Sequence, residues 1–374
     1  MNYIALKDVC TINMGQSPES SSYNEIGDGI PFFQGNADFG ERYPITRVWC
    51  NKPTKVAKAE DILISVRAPI GAMNYAKEKC CIGRGVAALT PNEEKVSSEF
   101  IFWLLKGKNN ELNQKGTGST FKAIGRKVLE EIQVPEINLE LQRKYASNLE
   151  RIYSIIQDRQ RQLEQLDKLV RARFVEMFGD PRSNPFGFPK SMLKDTCKVV
   201  TGNTPPRAAQ EYYGDYVEWI KTDNIVPEMI NPTKATESLS EEGIKVGRTV
   251  DKNSILMACI AGSIASIGKV CVTDRTVAFN QQINAVISKE YNILFLYVML
   301  QLSKDYLVEE INMSLKGILS KSKLEEKEFI VPPIDLQEQF AEFVEQVDKS
   351  KDSVKKALDE AQLLFDSLMQ QYFG

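Results

Sequence analysis

Histidine is absent from this chain of 374 residues. That removes serine–histidine and cysteine–histidine nucleophile pairs, HExxH zinc sites and any imidazole acid–base step. The cysteines, Cys10, Cys50, Cys80, Cys81, Cys197, Cys259 and Cys271, form no CxxC, and their spacing fits no zinc-ligand pattern. They read as reduced structural thiols. No stretch approaches the roughly 20 continuous apolar residues of a membrane span. The opening MNYIALKDVC lacks the basic and apolar regions of a secretory signal, so a cytoplasmic protein is expected. Basic excess is missing too. The formal net charge is −3 and the pI about 5.5, whereas a chain that grips nucleic acid unaided usually carries a positive surplus. Positive charge for such a ligand must then be local, or come from a partner. Hydrophobic residues, at 43%, are ample for real cores.

What is present is a repeat. LKDVCTINMGQSP at 6–18 and LKDTCKVVTGNTP at 193–205 share Leu, Lys, Asp, Cys, Gly and Pro without a gap, 187 positions apart. VPEINLELQ at 134–142 and VPPIDLQEQ at 331–339 share Val, Pro, Ile, Leu and the last Gln, 197 positions apart. Each opens a long charged segment that closes on Phe-Gly, at Phe178-Gly179 and Phe373-Gly374. The drift between offsets implies loop insertions between shared elements, hence a diverged duplication with two globular parts and two tails. Each globular part reads as mixed α and β. DILISV, SILMACI, GVAAL and INAVI predict short strands, and EFIFWLLKG and NILFLYVMLQL predict helices. Phe100, Phe102 and Trp103 are expected in the core, and Trp49 and Trp219 either there or in a site.

The tails carry heptad seams. The first runs Leu149, Ile152, Ile156, Arg159, Leu163, Leu166, Val170, with Arg159 its one polar member. The second runs Leu336, Phe340, Phe343, Val347, Ser350, Val354, Ala357, Ala361, Leu364, Leu368. Asn138 and Asp335 are candidate N-caps, Asp335 with Glu338 in a capping box, and Gly179 followed by Pro181 is a helix stop. Forty helical residues from 139 to 178 would span about 60 Å. A narrow seam needs a partner helix, and the other tail is nearest. The expectation is an antiparallel pair with one globular part at each end, giving approximate two-fold symmetry within one chain. Two diverged heads on a rigid spacer suit an asymmetric, two-part DNA target. The expected divisions are 1–137, 138–179, 180–333 and 334–374.

These residues carry a family resemblance that covers essentially the whole chain. With the paired openings come PFFQGNADF, VEWIKTDNI, DILISVRAPIG, CIGRGVAAL, GTGSTFKAI, IAGSIASIGK, AFNQQINAV and the two helix lead-ins. In this order, given twice, they resemble the specificity subunit of type I restriction-modification systems. The resemblance implies an α+β fold of two target recognition domains separated by two long antiparallel coiled-coil helices. It implies that each domain reads one half of a bipartite asymmetric site. The helices would set the spacer and dock two methyltransferase subunits. Those partners would supply S-adenosylmethionine chemistry by base flipping, and restriction subunits, where present, ATP- and Mg-dependent cleavage. The chain itself would hold no cofactor and do no chemistry. Consistently, TPPR and VPPI do not make the Asn/Asp-Pro-Pro-aromatic loop of an adenine methyltransferase, and there is no GxxxxGK[ST] loop. The chain reaches its first head at Leu6 without a long leading helix, as some members have. The rivals are an enzyme with an unrecognised active site and a structural coiled-coil adaptor with protein-binding heads.

Base reading needs Arg or Lys for guanine and Asn or Gln for adenine, with phosphate contacts for register. The candidates in the first head are Gln34, Asn36, Arg42, Arg67, Arg84, Thr117, Ser119, Thr120 and Lys122. In the second they are Lys221, Asp223, Asn224, Ser263, Lys269, Asn280, Gln281, Gln282 and Lys316. Against this stands an architectural reading, in which Arg67 or Asn280 satisfies loop carbonyls. The basic KLVRARF at 168–174 suits a helix C-terminus. The interface positions expected on the helices are Leu149, Ile152, Ile156, Leu163, Leu166, Val170, Phe340, Phe343, Val347, Val354, Leu364 and Leu368.

Overall fold

The computed structural model describes residues 2–374 other than 119–121, 228, 310 and 312–316. The chain divides into two compact units, Met1–Gln160 with Lys356–Gly374, and Arg161–Lys355. Ser119, Thr120 and Lys316, named above as DNA candidates, lie outside the described residues.

In unit 1, the strands that carry the core are β1 (Cys10–Met14), β2 (Ile30–Phe33), β3 (Ile62–Ser65), β4 (Met73–Tyr75), β5 (Cys80–Ile82) and β6 (Val86–Pro91). β1, β6, β3 and β4 make an antiparallel sheet in that order. β2 and β5 pair in parallel, Phe32 with Cys81 and Phe33 with Ile82, inside a second sheet. Helix α1 (Ser98–Gly107) follows, capped by the Ser97 hydroxyl. Phe100 and Trp103 are buried in its core. Then comes the long helix α2 (Leu139–Phe178), begun in this unit.

Unit 2 repeats this plan. β7 (Cys197–Thr201), β8 (Val217–Ile220), β9 (Ile255–Ala258), β10 (Val270–Val272), β11 (Val277–Phe279) and β12 (Ile283–Ser288) correspond in order to β1–β6. The sheet order is β7, β12, β9, β10, and β8 pairs with β11 in parallel, as Trp219 with Ala278. Helix α3 (Ile293–Leu302) and long helix α4 (Ile334–Phe373) complete it.

A two-stranded clasp closes each domain: Tyr3–Ala5 pairs with Gln133–Pro135, and Lys190–Met192 with Glu328–Ile330. The first and last strands of each domain therefore lie side by side. Here the structure corrects the sequence register. The closing clasp strands, the helix starts and the Phe-Gly ends are all 195 positions apart, not 197. Val134 thus corresponds to Phe329, both buried, and Val331-Pro332 follows the second clasp. Gln142 corresponds to Gln337 rather than Gln339. Both glutamines are 1% exposed. The Gln142 Oε1 accepts the Ser97 N–H at 2.8 Å, and its amide donates to the Ile137 carbonyl at 2.8 Å. Gln337 repeats both bonds, with the Asn292 N–H at 3.0 Å and the Pro332 carbonyl at 2.8 Å. One amide therefore fastens each long helix to the N-terminus of its domain's own helix.

Asn138 caps α2, its Oδ1 accepting the Leu141 N–H at 2.8 Å. Asp335 is not the cap of α4. The helix begins one residue earlier, and the Leu336 and Gln337 N–H groups meet the Pro333 carbonyl. Asp335 sits in the first turn, where a carboxylate faces the positive end of the helix dipole. At the far end of α2, Gly179 takes φ of +70°, and a Cβ there would come within 2.3 Å of Pro185. Only glycine fits that stop.

Candidate nucleic-acid interface

The loop after β2 is the first feature of the site in unit 1. The Asp38 carboxylate accepts the Gln34 N–H at 2.7 Å and the Gly35 N–H at 3.4 Å, folding the segment into a tight turn with Gln34 exposed. Gly85 packs against this turn so closely that a Cβ would lie 2.2 Å from the Gln34 carbonyl oxygen. Arg67 leaves the end of β3 and bridges to Ala123, which in turn bridges to Thr117. The Ala68 N–H donates to the Lys122 carbonyl at 3.0 Å. The two legs of the GTGSTFK loop are thereby pinned beside Arg67. Gln34, Asn36, Asp38, Arg67, Pro69 and Gly85 line one open recess of about 490 Å³. Arg84 adjoins it, its Nε donating to the Ser17 hydroxyl at 3.4 Å. Among the described residues, no carboxylate pairs with Arg67, Arg84 or Lys122. Such cations suit a polyanion.

Arg42 stands elsewhere. Its guanidinium pairs with Glu150 of α2 at 2.7 Å and lies 5.3 Å from the Tyr75 ring centroid. It ties a domain loop to the long helix.

In unit 2 the corresponding turn follows β8. The Asn224 Oδ1 accepts the Lys221 N–H at 2.9 Å, and its amide donates to Thr233 Oγ1 at 3.1 Å and the Lys234 carbonyl at 3.2 Å. Asn224 is buried and its polar atoms are engaged in the loop, while Asp223 is exposed. Asn280 is likewise buried. Its Oδ1 accepts the Gln282 N–H at 3.0 Å, and its amide donates to Gln282 Oε1 at 3.2 Å. Asn224, Asn280 and Gln282 thus shape the surface. Gln281 is exposed and accepts from the Thr204 hydroxyl. Ser263 is exposed with its hydroxyl 3.1 Å from that of Ser266. Lys269 is half-buried, its carbonyl accepting the Ala258 N–H. Ile260 occupies the place of Arg67, two residues beyond the last paired position of β9.

Sequence reasoning missed Arg207 and Glu237. The Arg207 guanidinium lies 4.8 Å from the ring centroids of both Tyr213 and Trp219 and pairs with Glu237 at 2.6 Å. The Lys221 ammonium joins the same carboxylate and lies 5.3 Å from the Trp219 ring. Hydrogen bonds from Arg207 and then Lys221 hold the Glu237 carboxyl below its usual range. A signal was present. The Tyr213 hydroxyl donates to the Pro205 carbonyl at 2.7 Å, as Tyr23 does to Pro18 at 2.8 Å, so the repeated Pro marks this corner in both heads.

On the helices, each unit buries its own seam. In unit 1, Leu149 and Ile156 of α2 are buried and Ile152 partly so, with Phe365 and Tyr372 of α4 in the same core. Tyr145 stacks on Tyr372 at 3.7 Å, and Phe365 lies 6.0 Å from Tyr153, so the segments run antiparallel. In unit 2, Phe340 packs on Phe174 and Phe178 at 5.4 and 5.7 Å, and Lys351 pairs with Asp167. Leu163, Leu166 and Val170 are half-buried, and so is Arg159. The α4 seam corrects the sequence reading at alternate positions. It runs Phe340, Val344, Val347, Lys351, Val354, Leu358, Ala361, Phe365, Leu368, Tyr372. Val344 is buried where Phe343 is half-exposed, and Leu364 is 50% exposed beside buried Phe365. Phe340, Val347, Val354, Ala361 and Leu368 belong to both registers.

Among the described residues, no group of three or more His, Cys, Asp or Glu is placed to hold a metal ion. No helix there is long and apolar enough to cross a membrane. All the cysteines are free and buried. Burial pushes the Cys10 and Cys259 thiols up to about 12.

Residues 1–166 and 186–362 match the family described as the type I restriction modification DNA specificity domain. The type I restriction enzyme MjaIX specificity subunit of Methanocaldococcus jannaschii is 24% identical over 377 aligned residues, covering 91% of this chain and 85% of that protein. The putative type I restriction enzyme MjaX specificity subunit of the same organism is 48% identical over 157 residues, 42% of this chain and 37% of that relative. The crystal structure of the type I restriction-modification S subunit from M. genitalium matches over 100% of this chain and 96% of its own, with a TM-score of 0.66 and 15% identity. At that identity the likeness is one of fold.

Proposed function

Because the chain belongs to the type I restriction modification DNA specificity family and carries its domain twice, we propose that each unit reads one half of a bipartite, asymmetric DNA site. The chain is a non-catalytic specificity subunit, acting on DNA with the other subunits of a restriction-modification system. The observation that carries the two-part reading is the duplicated topology, in which the four-stranded sheet, the five-stranded sheet and the clasp each occur in both units, with different side chains on the same loops. In unit 1 the turn at Gln34 and Asn36, with Arg67, Arg84, Thr117 and Lys122 around it, is the reading surface. In unit 2 the loops after β8 and β11 take that role, with Lys221 and Gln281 outward. α2 and α4 set the unread gap and dock two methyltransferase subunits, which bind S-adenosylmethionine and methylate adenine. Restriction subunits add ATP-driven cleavage where they are present. The acidic balance of the chain fits a division of labour in which partners supply much of the phosphate-binding charge.

Exchange of residues 1–137 for the head of another family member tests the assignment. Methylome sequencing of a host carrying the chimaera, with its methyltransferase subunits, should show one half of the modified sequence changed and the other retained. A change in both halves, or in neither, rules out modular reading.

A further inference from the structure

The two heads share a scaffold on which charge has been placed in only one. Tyr23 and Tyr213 donate to equivalent proline carbonyls. The Phe32 N–H meets the Val48 carbonyl at 2.9 Å, and the Trp219 N–H meets the Glu237 carbonyl at the same distance. Val48 and Glu237 are thus structurally equivalent. So are Gln34 and Lys221, each following its strand. Arg207 has no counterpart: the turn Gln210–Tyr212 matches Ser20–Ser22, and unit 2 inserts three residues, Arg207 among them, between that turn and its proline. Unit 1 therefore has Gln34 and Val48 where unit 2 has Lys221 and Glu237, and nothing in the place of Arg207.

A solvent-facing ion pair adds little to stability, so packing does not account for this trio. Its geometry does suggest a use. The Arg207 side chain is 54% exposed. Glu237 holds it by Nη1 and the two aromatic rings hold its plane, while Nε and Nη2 have no hydrogen-bond acceptor among the described residues. A planar fork with two parallel donors matches guanine O6 and N7, and a carboxylate at its side can accept from the cytosine amino group of the same pair. We propose that Arg207 and Glu237, with Lys221 beside them, read a G·C base pair in the half-site of unit 2. This rests on the DNA-reading assignment above and names the residues and base pair for one head. Unit 1, neutral at Gln34 and Val48 and without the inserted arginine, reads by other chemistry.

The test uses the subunit assembled with its methyltransferase partners. The wild-type methylome first defines the two half-sites. Arg207→Gln and Glu237→Gln should each relax a G·C position in one half, the half assigned to residues 180–333 by head exchange, and leave the other half unchanged. Replacing that guanine with 7-deazaguanine in a synthetic duplex should slow wild-type methylation roughly tenfold or more, the cost of one lost base contact. Arg207→Gln should lose nothing further. If Arg207→Gln does not fold, Arg207→Lys, which keeps the charge and loses the planar fork, takes its place with the same expected outcome. An unchanged motif with uniformly slower methylation would assign Arg207 to a phosphate and overturn the proposal, as would a unit 2 half-site without G·C. Absence of any bipartite motif in the wild type would instead sink the DNA-reading assignment itself.

Discussion

Gln142 and Gln337 each connect a long helix to a domain through one buried amide. Gln142→Leu keeps most of the volume but leaves the Ser97 N–H without its acceptor. An orphaned buried donor costs about 1–3 kcal/mol, so the unfolding free energy of this variant from urea titration should fall by that amount, with a lower midpoint. A different residue sets an acid limit. Glu218 is held below the ordinary carboxylate range, first by hydrogen bonds from Arg275 and then by the Ala235 N–H. Its folded value is lowered, so its contribution is complete above the unfolded value near 4.5 and is lost as pH falls through the lowered one. Acid titration of thermal stability should therefore be flatter for Glu218→Gln than for the wild type. At this scale the sequence was partly legible. Lys221 and Arg67 were visible as isolated cations in loops, but Arg207 acquires its meaning from Glu237, thirty positions away, and no local pattern joins them. Asn224, Asn280 and Gln282 have the residue types of base readers, yet their amides are occupied by the turns they stabilise.

The elements were more legible, because periodicity and repetition constrain them together. Strands, domain helices and both tails were readable from apolar runs and a duplicated order. The α4 register was not, for a physical reason. Phe343-Val344 and Leu364-Phe365 are adjacent apolar pairs, so a 3.5-residue period admits two phases over the same helix. Tertiary packing chooses between them: Phe340 and Tyr372 meet aromatic partners on α2, and Lys351 in between meets Asp167. This predicts unequal neighbours. Phe365→Ala removes a ring packed on Trp103 and should cost about 3–5 kcal/mol. Leu364→Ala at the half-exposed position should stay within about 0.5 kcal/mol. Equal losses in chemical denaturation would restore the other phase. The helix lead-ins carry a related lesson. The Val-Pro matches favoured an offset of 197, while the Phe-Gly ends already stood at 195, the offset at which the closing clasp strands and the glutamines coincide.

For the whole molecule, α2 starts in unit 1 and ends in unit 2, and α4 makes the return passage. If these helices set the gap in the target, adding one heptad to each, at matched positions, should change the number of unread base pairs and leave both half-sites intact. Methylome sequencing reads both quantities at once. Altered half-sites with an unchanged gap would locate the spacer elsewhere.

The clasps have a consequence for inheritance. Because Tyr3–Ala5 lies against Gln133–Pro135, and Lys190–Met192 against Glu328–Ile330, each domain leaves the chain next to where it joined it. A gene crossover falling in those short strands would splice in a foreign domain with both seams already aligned, and no loop would need to stretch. The same two ladders that end a domain structurally are thus the places where recombination can give a lineage a new target in one event, with only three residue pairs to match per domain.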